Sequence, residues 1–358
     1  MIDILIHFIL PASILLGVLI VVHEFGHFSM AKLLRIKVLK FCVGFGPKLI
    51  AKKIGDTIYQ LSIIPLGGYV KLFGENPEEE IKDEEKPYSF SHRRIRDRLL
   101  IVCAGPIANI IFAYLLLSTI YLFGVPTLLP EVGKLTKDYP ASKAGIQPGD
   151  LIVSIDEKTV VQWEELSKII EASKGNKLKI KIKRGQKILT FYLYPKLTST
   201  VNIFGQKKLS YKIGIEPSWR YVTKRYLPWV AFWKGLKQTA YWIKLTVVSI
   251  FKLIERAIPA KSLGGPILIA QMAGKVVQAG LVSFLSFMAI ISINLGILNL
   301  LPIPILDGGH VLFLSIEFIR GKPLSVKKME IAQQIGLFIL IMIMVLVFYN
   351  DITRLIMQ

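Results

Sequence analysis

Four stretches of this sequence contain no Asp, Glu, Lys or Arg over at least 20 consecutive positions. They cover residues 4–23, 99–130, 276–306 and 331–350. Each is long enough to cross the roughly 30 Å hydrocarbon core of a bilayer as an α-helix. With 53% hydrophobic and only 20% charged residues, the chain is too apolar for a water-soluble protein of 358 residues. The sequence therefore predicts a polytopic α-helical membrane protein with four transmembrane helices, and it excludes a purely cytosolic enzyme.

Positive charge is distributed unevenly among the loops between these helices. Fourteen Lys and Arg residues lie between the first and second helices, and four lie between the third and fourth. Under the positive-inside rule, both loops lie in the cytoplasm and both chain termini lie outside. The net charge of +20 would indicate nucleic acid in a soluble protein. Here we expect the lipid bilayer as the partner and no nucleic acid.

The region between the second and third helices has a different composition. Residues 128–218 contain short β-type runs, one helical stretch and turns, as expected for a small α+β domain inserted between helices. Residues 219–275 include the apolar stretch 229–254, which carries four lysines and three tryptophans. We expect this stretch to be an amphipathic helix in the membrane interface rather than a fifth span. Two parts, 1–127 and 276–358, form the membrane core.

The motif with the clearest chemistry is His23-Glu24-Phe25-Gly26-His27 at the end of the first apolar stretch. Residues four apart share one face of a helix, so the two imidazoles can bind one zinc ion. Glu24 then lies close enough to act on a water at the metal. Ionisable groups inside a membrane are costly unless they are paired or metal-bound. The motif therefore predicts a zinc site.

A catalytic zinc usually takes three protein ligands, so the sequence must supply a third. Asp307 is the best candidate, because it follows the third apolar stretch where Pro302 and Pro304 break the helix. With four spans, the first and third helices run in the same direction. The two histidines and Asp307 then lie near the same, cytoplasmic face, provided that residues 229–254 do not cross the membrane.

Two other classes of protein remain open on the residues alone. A membrane-anchored zinc protease that cuts soluble chains would share the motif but take a glutamate as third ligand, such as Glu317 or Glu330. A scaffold without enzymatic activity would use the inserted domain for binding and treat the intramembrane His and Glu residues as structural.

Four motifs together resemble the site-2 protease family of intramembrane zinc metalloproteases. They are the His23–His27 motif, Pro65-Leu66-Gly67-Gly68-Tyr69-Val70-Lys71, Ala104-Gly105-Pro106-Ile107-Ala108-Asn109, and the segment from Asn299 to Gly309. The resemblance covers nearly the whole chain, and the motifs occur in the family's order. It implies cleavage within the transmembrane helix of a single-pass substrate, such as an anti-sigma factor, after a site-1 protease has trimmed it. Leftover signal peptides are a second implied substrate class.

The resemblance also implies a role for individual residues. His23, His27 and Asp307 would bind zinc, and Glu24 would be the general base. Asn299 would contact the substrate backbone, and Pro302 and Pro304 would leave an opening for an unwound substrate. A hairpin at Gly67 and Gly68 would be a membrane-inserted β-loop that pairs with the substrate.

The implied location is the bacterial cytoplasmic (inner) membrane, with the active site near the cytoplasmic face. Residues 128–218 resemble the family's PDZ domains, which lie on the extracytoplasmic side. Here the chain departs from the family's well-known bacterial members, because they carry two tandem PDZ domains and this segment has room for one. We therefore expect a simpler gate for substrates.

Overall fold

The computed structural model of the protein describes residues 5–76, 80–201 and 205–357. Within these residues, four helices are long and apolar enough to cross a membrane, judged by length and composition. They are Ile6–Leu33, Ile95–Phe123, Leu281–Asn299 and Val326–Ile356. The arrangement agrees with the predicted four-helix membrane protein. The chain ends, predicted to be extracytoplasmic, include residues 1–4 and 358, which lie outside the described residues.

The chain forms two compact units, which are described separately. One comprises Met1–Ile120 with Pro228–Gln358, and the other is Tyr121–Leu227. The principal elements in chain order are α1 (Leu10–Leu33), β1 (Val38–Ile54), β2 (Thr57–Leu72), α2 (Ile95–Phe123), β3 (Val125–Leu128), β4 (Val132–Leu135), α3 (Pro140–Ala144), β5 (Leu151–Ile155), β6 (Lys158–Thr159), α4 (Trp163–Ala172), β7 (Leu178–Arg184), β8 (Lys187–Leu193), β9 (Lys196–Val201), β10 (Lys207–Lys212), β11 (Ile215–Pro217), β12 (Tyr221–Lys224), α5 (Pro228–Ile254), α6 (Pro266–Gln278), α7 (Leu281–Asn299), α8 (Asp307–Arg320) and α9 (Val326–Ile356).

The helices of the first unit pack through a small apolar core. Ala12, Leu15 and Leu19 of α1 are buried against Ala273 of α6 and Met288 of α7. In a bilayer, such close packing rather than exclusion from water holds helices together. The cluster fixes α1 beside α7, the two helices that lead to the predicted metal ligands.

The carboxylate of Asp351 on α9 caps the start of α6. It accepts hydrogen bonds from the backbone N–H groups of Gly265, Ile267 and Leu268 at 3.0–3.1 Å. Asp351 is only 2% exposed. The first N–H groups of a helix have no partner within the helix, so this buried cap satisfies them. The cap therefore joins α9 to the start of α6.

Between the first two spanning helices, β1 and β2 form a long, bent hairpin whose turn lies at Gly55 and Asp56. Lys40 of β1 is opposite both Lys71 and Ile58 of β2. The start of β1 therefore lies between two segments of β2. This doubled pairing brings the end of β2 back to the level of α1.

The second unit is built on a sheet with the strand order β6-β5-β7-β8. Its core is a cluster of buried aliphatic side chains that includes Ile152, Ile180 and Ile182 from the sheet and Leu166 from α4. The short strands β4 and β11 pair beside it, and β3 pairs with β12 where the chain enters and leaves the unit. The unit therefore has its own core and paired ends.

A buried ion pair fixes one turn of the second unit. The side chain of Asp150 is 1% exposed and lies 2.7 Å from Arg184, and it also accepts the backbone N–H of Gln147 at 2.8 Å. The turn at Pro148-Gly149-Asp150 is thus held to the end of β7.

The helix α5 corresponds to the stretch predicted to lie in the interface. It is not among the candidate spans found in the described residues. Gly235 packs directly against Ser118 of α2, and Thr246 donates a 2.7 Å hydrogen bond to Asn294 of α7. The helix therefore packs along two spanning helices. Its position in the interface stays a prediction.

Candidate metal centre

The two histidines of the motif lie on one face of α1, as their spacing predicts. Their Nε2 atoms are 3.2 Å apart, and the rings meet edge to face at 83° with centroids 4.8 Å apart. His23 is 8% exposed. The two side chains therefore point their nitrogens at one small, buried volume.

Asp307 completes this cluster from the far end of the chain. It is the first residue of α8, and its carboxylate lies 3.1 Å from Nε2 of His23 and 3.5 Å from Nε2 of His27. Gly308 allows the tight entry into α8, because a Cβ there would be 2.1 Å from the carbonyl oxygen of Leu301. All candidate ligand atoms lie within 4.8 Å of one another, and no second such cluster occurs in the part of the chain that the structure describes.

The donor set fits a divalent metal. Oδ2 of Asp307 is buried and has no hydrogen-bond partner, although two imidazoles face the carboxylate. Burial alone would raise the pKa of the Asp307 carboxyl, but the adjacent imidazoles of His23 and His27 hold that pKa below the usual range. Two nitrogens and an ionised carboxylate around one point are the ligand types of a catalytic zinc site.

The helix α2 orients the second ligand. Nδ1 of His27 lies 2.8 Å from the carbonyl oxygen of Ile101. A ligating imidazole that donates its other N–H to a carbonyl is fixed in tautomer and orientation. The close approach of α1 to α2 depends on Gly26 of α1, because a Cβ there would lie 2.3 Å from the carbonyl oxygen of Ala104. The sequence marked residues 104–109 as a family motif but gave no sign of the contact between Ile101 and His27.

Glu24 lies beside the cluster, next to the returning strand β2. Its carboxylate lies beside the backbone of Val70, and a Cβ on Gly68 would lie 3.2 Å from Cγ of Glu24. Glu24 and the three candidate ligands line a cavity of about 620 Å³. The residue predicted as general base and the candidate metal ligands therefore face one space that can hold a water and a peptide.

The predicted β-loop is present, but the glycine pair is not at its turn. Gly67 and Gly68 lie within β2, and Gly68 is opposite Val43 of β1. Gly67 has a φ of +122°, and a Cβ on it would be 1.9 Å from the ring of Phe45. The glycines therefore serve close packing beside Glu24, and the turn lies at Gly55 and Asp56.

The other predicted substrate residues lie at different distances from the cluster. Nδ2 of Asn299, at the end of α7, lies 3.4 Å from Nε2 of His23. Pro302 and Pro304 lie in the non-helical link between α7 and α8. Pro304 contacts Gly309 and Gly336, so it packs the link against α9. Neither proline is among the described residues that line the cavity.

The two glutamates considered as alternative third ligands lie elsewhere. Glu317 on α8 forms an ion pair with Arg98 on α2, and both side chains are largely buried. Both residues line the cavity, as does His310. Glu330 is exposed on α9. The structure thus brings Asp307, and not Glu317, to the two histidines.

Comparisons with known proteins agree with this geometry. A family profile described as peptidase family M50 matches residues 11–343. The chain is 34% identical over 364 residues to a candidate zinc metalloprotease of Agrobacterium fabrum, covering 98% of this chain and 96% of the relative. It is 36% identical over 344 residues to another in Clostridium acetobutylicum, covering 96% of this chain and 97% of the relative. It is 31% identical over 443 residues to the regulator of sigma-E protease RseP of Escherichia coli, covering 95% of this chain and 97% of the relative.

These findings confirm the predicted activity and metal at the level of the family. The chain is a metalloprotease, and its metal is zinc. The hypothesis of a scaffold without enzymatic activity is not supported. The chain belongs to peptidase family M50, the site-2 protease family that its motifs resemble.

Proposed function

We propose that this protease hydrolyses a peptide bond within the transmembrane segment of single-pass membrane proteins. The observation that carries the proposal is the position of the site: His23, Glu24 and His27 lie inside the first membrane-spanning helix, Ile6–Leu33. A protease that cuts soluble chains has no need to place its ligands there, at a cost of several kcal/mol for unpaired groups. The apolar helices and the RseP relatives point to an inner-membrane protein.

Each polar group at the site has a distinct task in this proposal. Bound by His23, His27 and Asp307, zinc would supply the Lewis acid that activates water and polarises the scissile carbonyl. The carboxylate of Glu24 takes the proton from the attacking water and delivers it to the leaving amide nitrogen. Asn299, beside His23, donates its amide N–H to the scissile carbonyl oxygen and so orients the peptide.

A helical substrate must unwind before its carbonyl groups become accessible, because in a helix they are already hydrogen-bonded. The segment of β2 at Tyr69 and Val70 lines the cavity beside Glu24. An unwound substrate that adds to this segment as a strand would place its backbone next to the general base. Substrates with helix-destabilising residues near the cut should therefore react faster.

The natural substrates in this proposal are anti-sigma-like proteins already trimmed by a site-1 protease, together with remnant signal peptides. The second unit would be a PDZ domain on the extracytoplasmic side that meets the trimmed end. A groove of about 220 Å³ between α4 and the strand β11 supports this role, with Leu166 and Ile170 on one side and Ile215 on the other. A groove between a helix and a strand edge is where an extended peptide can add as a further strand.

The test is cleavage of a single-span reporter by purified protein in detergent, with metal content read on the same samples. We expect Glu24→Gln to keep zinc and lose cleavage, and Asp307→Asn to lose both. Glu330→Gln, at an exposed acid on α9, is the matched control for a ligand role and should keep zinc. Cleavage by Glu24→Gln at the native rate, or cutting only outside the span, would overturn the proposal.

A further inference from the structure

The side-chain amide of Asn109 on α2 is fully buried, and only one of its two polar atoms has a neighbour within hydrogen-bond distance. Its side chain is 0% exposed, and Nδ2 lies 3.3 Å from Nδ1 of His23. Its Oδ1 is buried and has no partner. Leaving a buried polar atom unpaired costs about 1–3 kcal/mol. The described structure therefore contains an amide that touches a metal ligand but leaves its own oxygen unused.

The chemistry of His23 indicates which amide atom belongs at this contact. Nε2 of His23 faces Asp307 and the candidate metal position, so when a metal is bound to Nε2 the proton of the neutral imidazole is on Nδ1. An N–H group cannot hydrogen-bond to an NH₂ group. Rotating the Asn109 amide by 180° exchanges Nδ2 and Oδ1 and leaves the shape of the side chain nearly unchanged. Oδ1 then lies opposite Nδ1–H of His23 and is no longer without a partner.

We propose that Asn109 is a positioning residue that accepts a hydrogen bond from Nδ1–H of His23 and so fixes this histidine as an Nε2 ligand. The inference rests on the metal role of His23 in the proposed function. It parallels the carbonyl of Ile101, which accepts from His27. Both imidazoles would then be held by α2, one by a main-chain oxygen and one by a side-chain oxygen.

The backbone of Asn109 is itself fixed by the crossing of α2 and α7. The hydroxyl of Ser292 donates a 2.8 Å hydrogen bond to the carbonyl oxygen of Asn109. Gly296 lies so close that a Cβ there would be 2.8 Å from the carbonyl oxygen of Pro106 and 3.5 Å from Cβ of Asn109. The amide therefore has little freedom to leave His23, as a positioning role requires.

The experiment compares Asn109→Leu and Asn109→Asp in the full-length protein. Leucine has a similar size but no acceptor, whereas aspartate keeps the acceptor. We expect the zinc dissociation constant, measured by chelator competition, to rise about 10–100-fold in the leucine variant and to stay within about threefold of native in the aspartate variant. The absorption spectrum of the cobalt-substituted protein should change in the leucine variant alone.

Ser118→Ala provides the matched control, because it changes another buried polar side chain of α2 that packs against Gly235 rather than against His23. It should bind zinc as the native chain does. Native zinc affinity in Asn109→Leu, or equal loss in the leucine and aspartate variants, would overturn the inference. The native protein with ¹⁵N-labelled histidine needs no variant: NMR of the zinc-loaded protein should show His23 protonated on Nδ1, and protonation on Nε2 in that form would contradict the proposal. None of these readouts depends on cleavage of a transmembrane substrate.

Discussion

Gly105 of α2 and His27 of α1 are so close that a Cβ added to the glycine would lie 2.3 Å from Nε2 of the imidazole. The metal-facing nitrogen of one ligand is therefore packed against the bare backbone of a neighbouring helix. Small residues commonly allow such approach between membrane helices. Here the approach also sets the position of a ligand, because it presses the ring towards His23 and Asp307.

Gly105→Ala should displace the His27 ring and weaken zinc binding. We expect the zinc dissociation constant to rise about 10–100-fold, with a parallel loss of cleavage, because backbone lies behind the ring and cannot yield. Ile107→Ala, on the exposed face of the same helix, should leave zinc binding unchanged. A Gly105→Ala protein with native metal content and activity would show that the ring has room to move.

Removal of zinc should destabilise the membrane unit and leave the second unit unaffected. A ligand at 100 times its dissociation constant stabilises the folded state by about 2.7 kcal/mol, and the three ligands come from α1 and α8. Thermal unfolding before and after chelation, followed separately for the two units, measures this. The transition of residues 121–227 should not shift, and zinc should restore the other transition.

Glu317→Gln should destabilise the protein more than replacement of both partners of its ion pair. The side chains of Arg98 and Glu317 are 13% and 16% exposed, so the single change leaves a largely buried charge unpaired. We expect Glu317→Gln to lower the free energy of unfolding by roughly 3 kcal/mol. The double variant Arg98→Met with Glu317→Leu should lower it by less. Equal losses of unfolding free energy in the single and the double variant would mean that the two charges are solvated and do not interact.

Asp351→Ala should loosen the start of α6. It removes the acceptor of three backbone N–H groups, and loss of a helix cap costs about 1–2 kcal/mol. Hydrogen exchange at residues 265–269 should accelerate. Thr353→Ala, an exposed change on the same helix, should not alter exchange there.

The sequence predicts the apolar helices and the grouping of His23, His27 and Asp307 well because both depend on local signals. A run without charge is enough to indicate a span, and the spacing of His23 and His27 is enough to place them on one helix face. Topology then selects Asp307 over other acids. These inferences need no knowledge of which helices touch.

The contacts around the ligands are different, because they depend on how helices cross. Nothing in the sequence connects Ile101 with His27, since any residue can offer its main-chain carbonyl. The partner of Glu317 and the doubled pairing of β1 likewise arise only when distant segments meet. The family resemblance placed a hairpin at the glycine pair, whereas Gly67 and Gly68 lie within β2 and pack against Phe45 and Glu24.

The ligands of the metal site come from opposite ends of the chain, since His23 lies on α1 and Asp307 begins α8. During synthesis the two histidines enter the membrane first, and the carboxylate follows only when most of the protein has been made. A partly synthesised chain therefore holds an incomplete ligand set beside other newly inserted membrane proteins. If these three residues are the zinc ligands, proteolytic competence arises only after most of the chain has been synthesised.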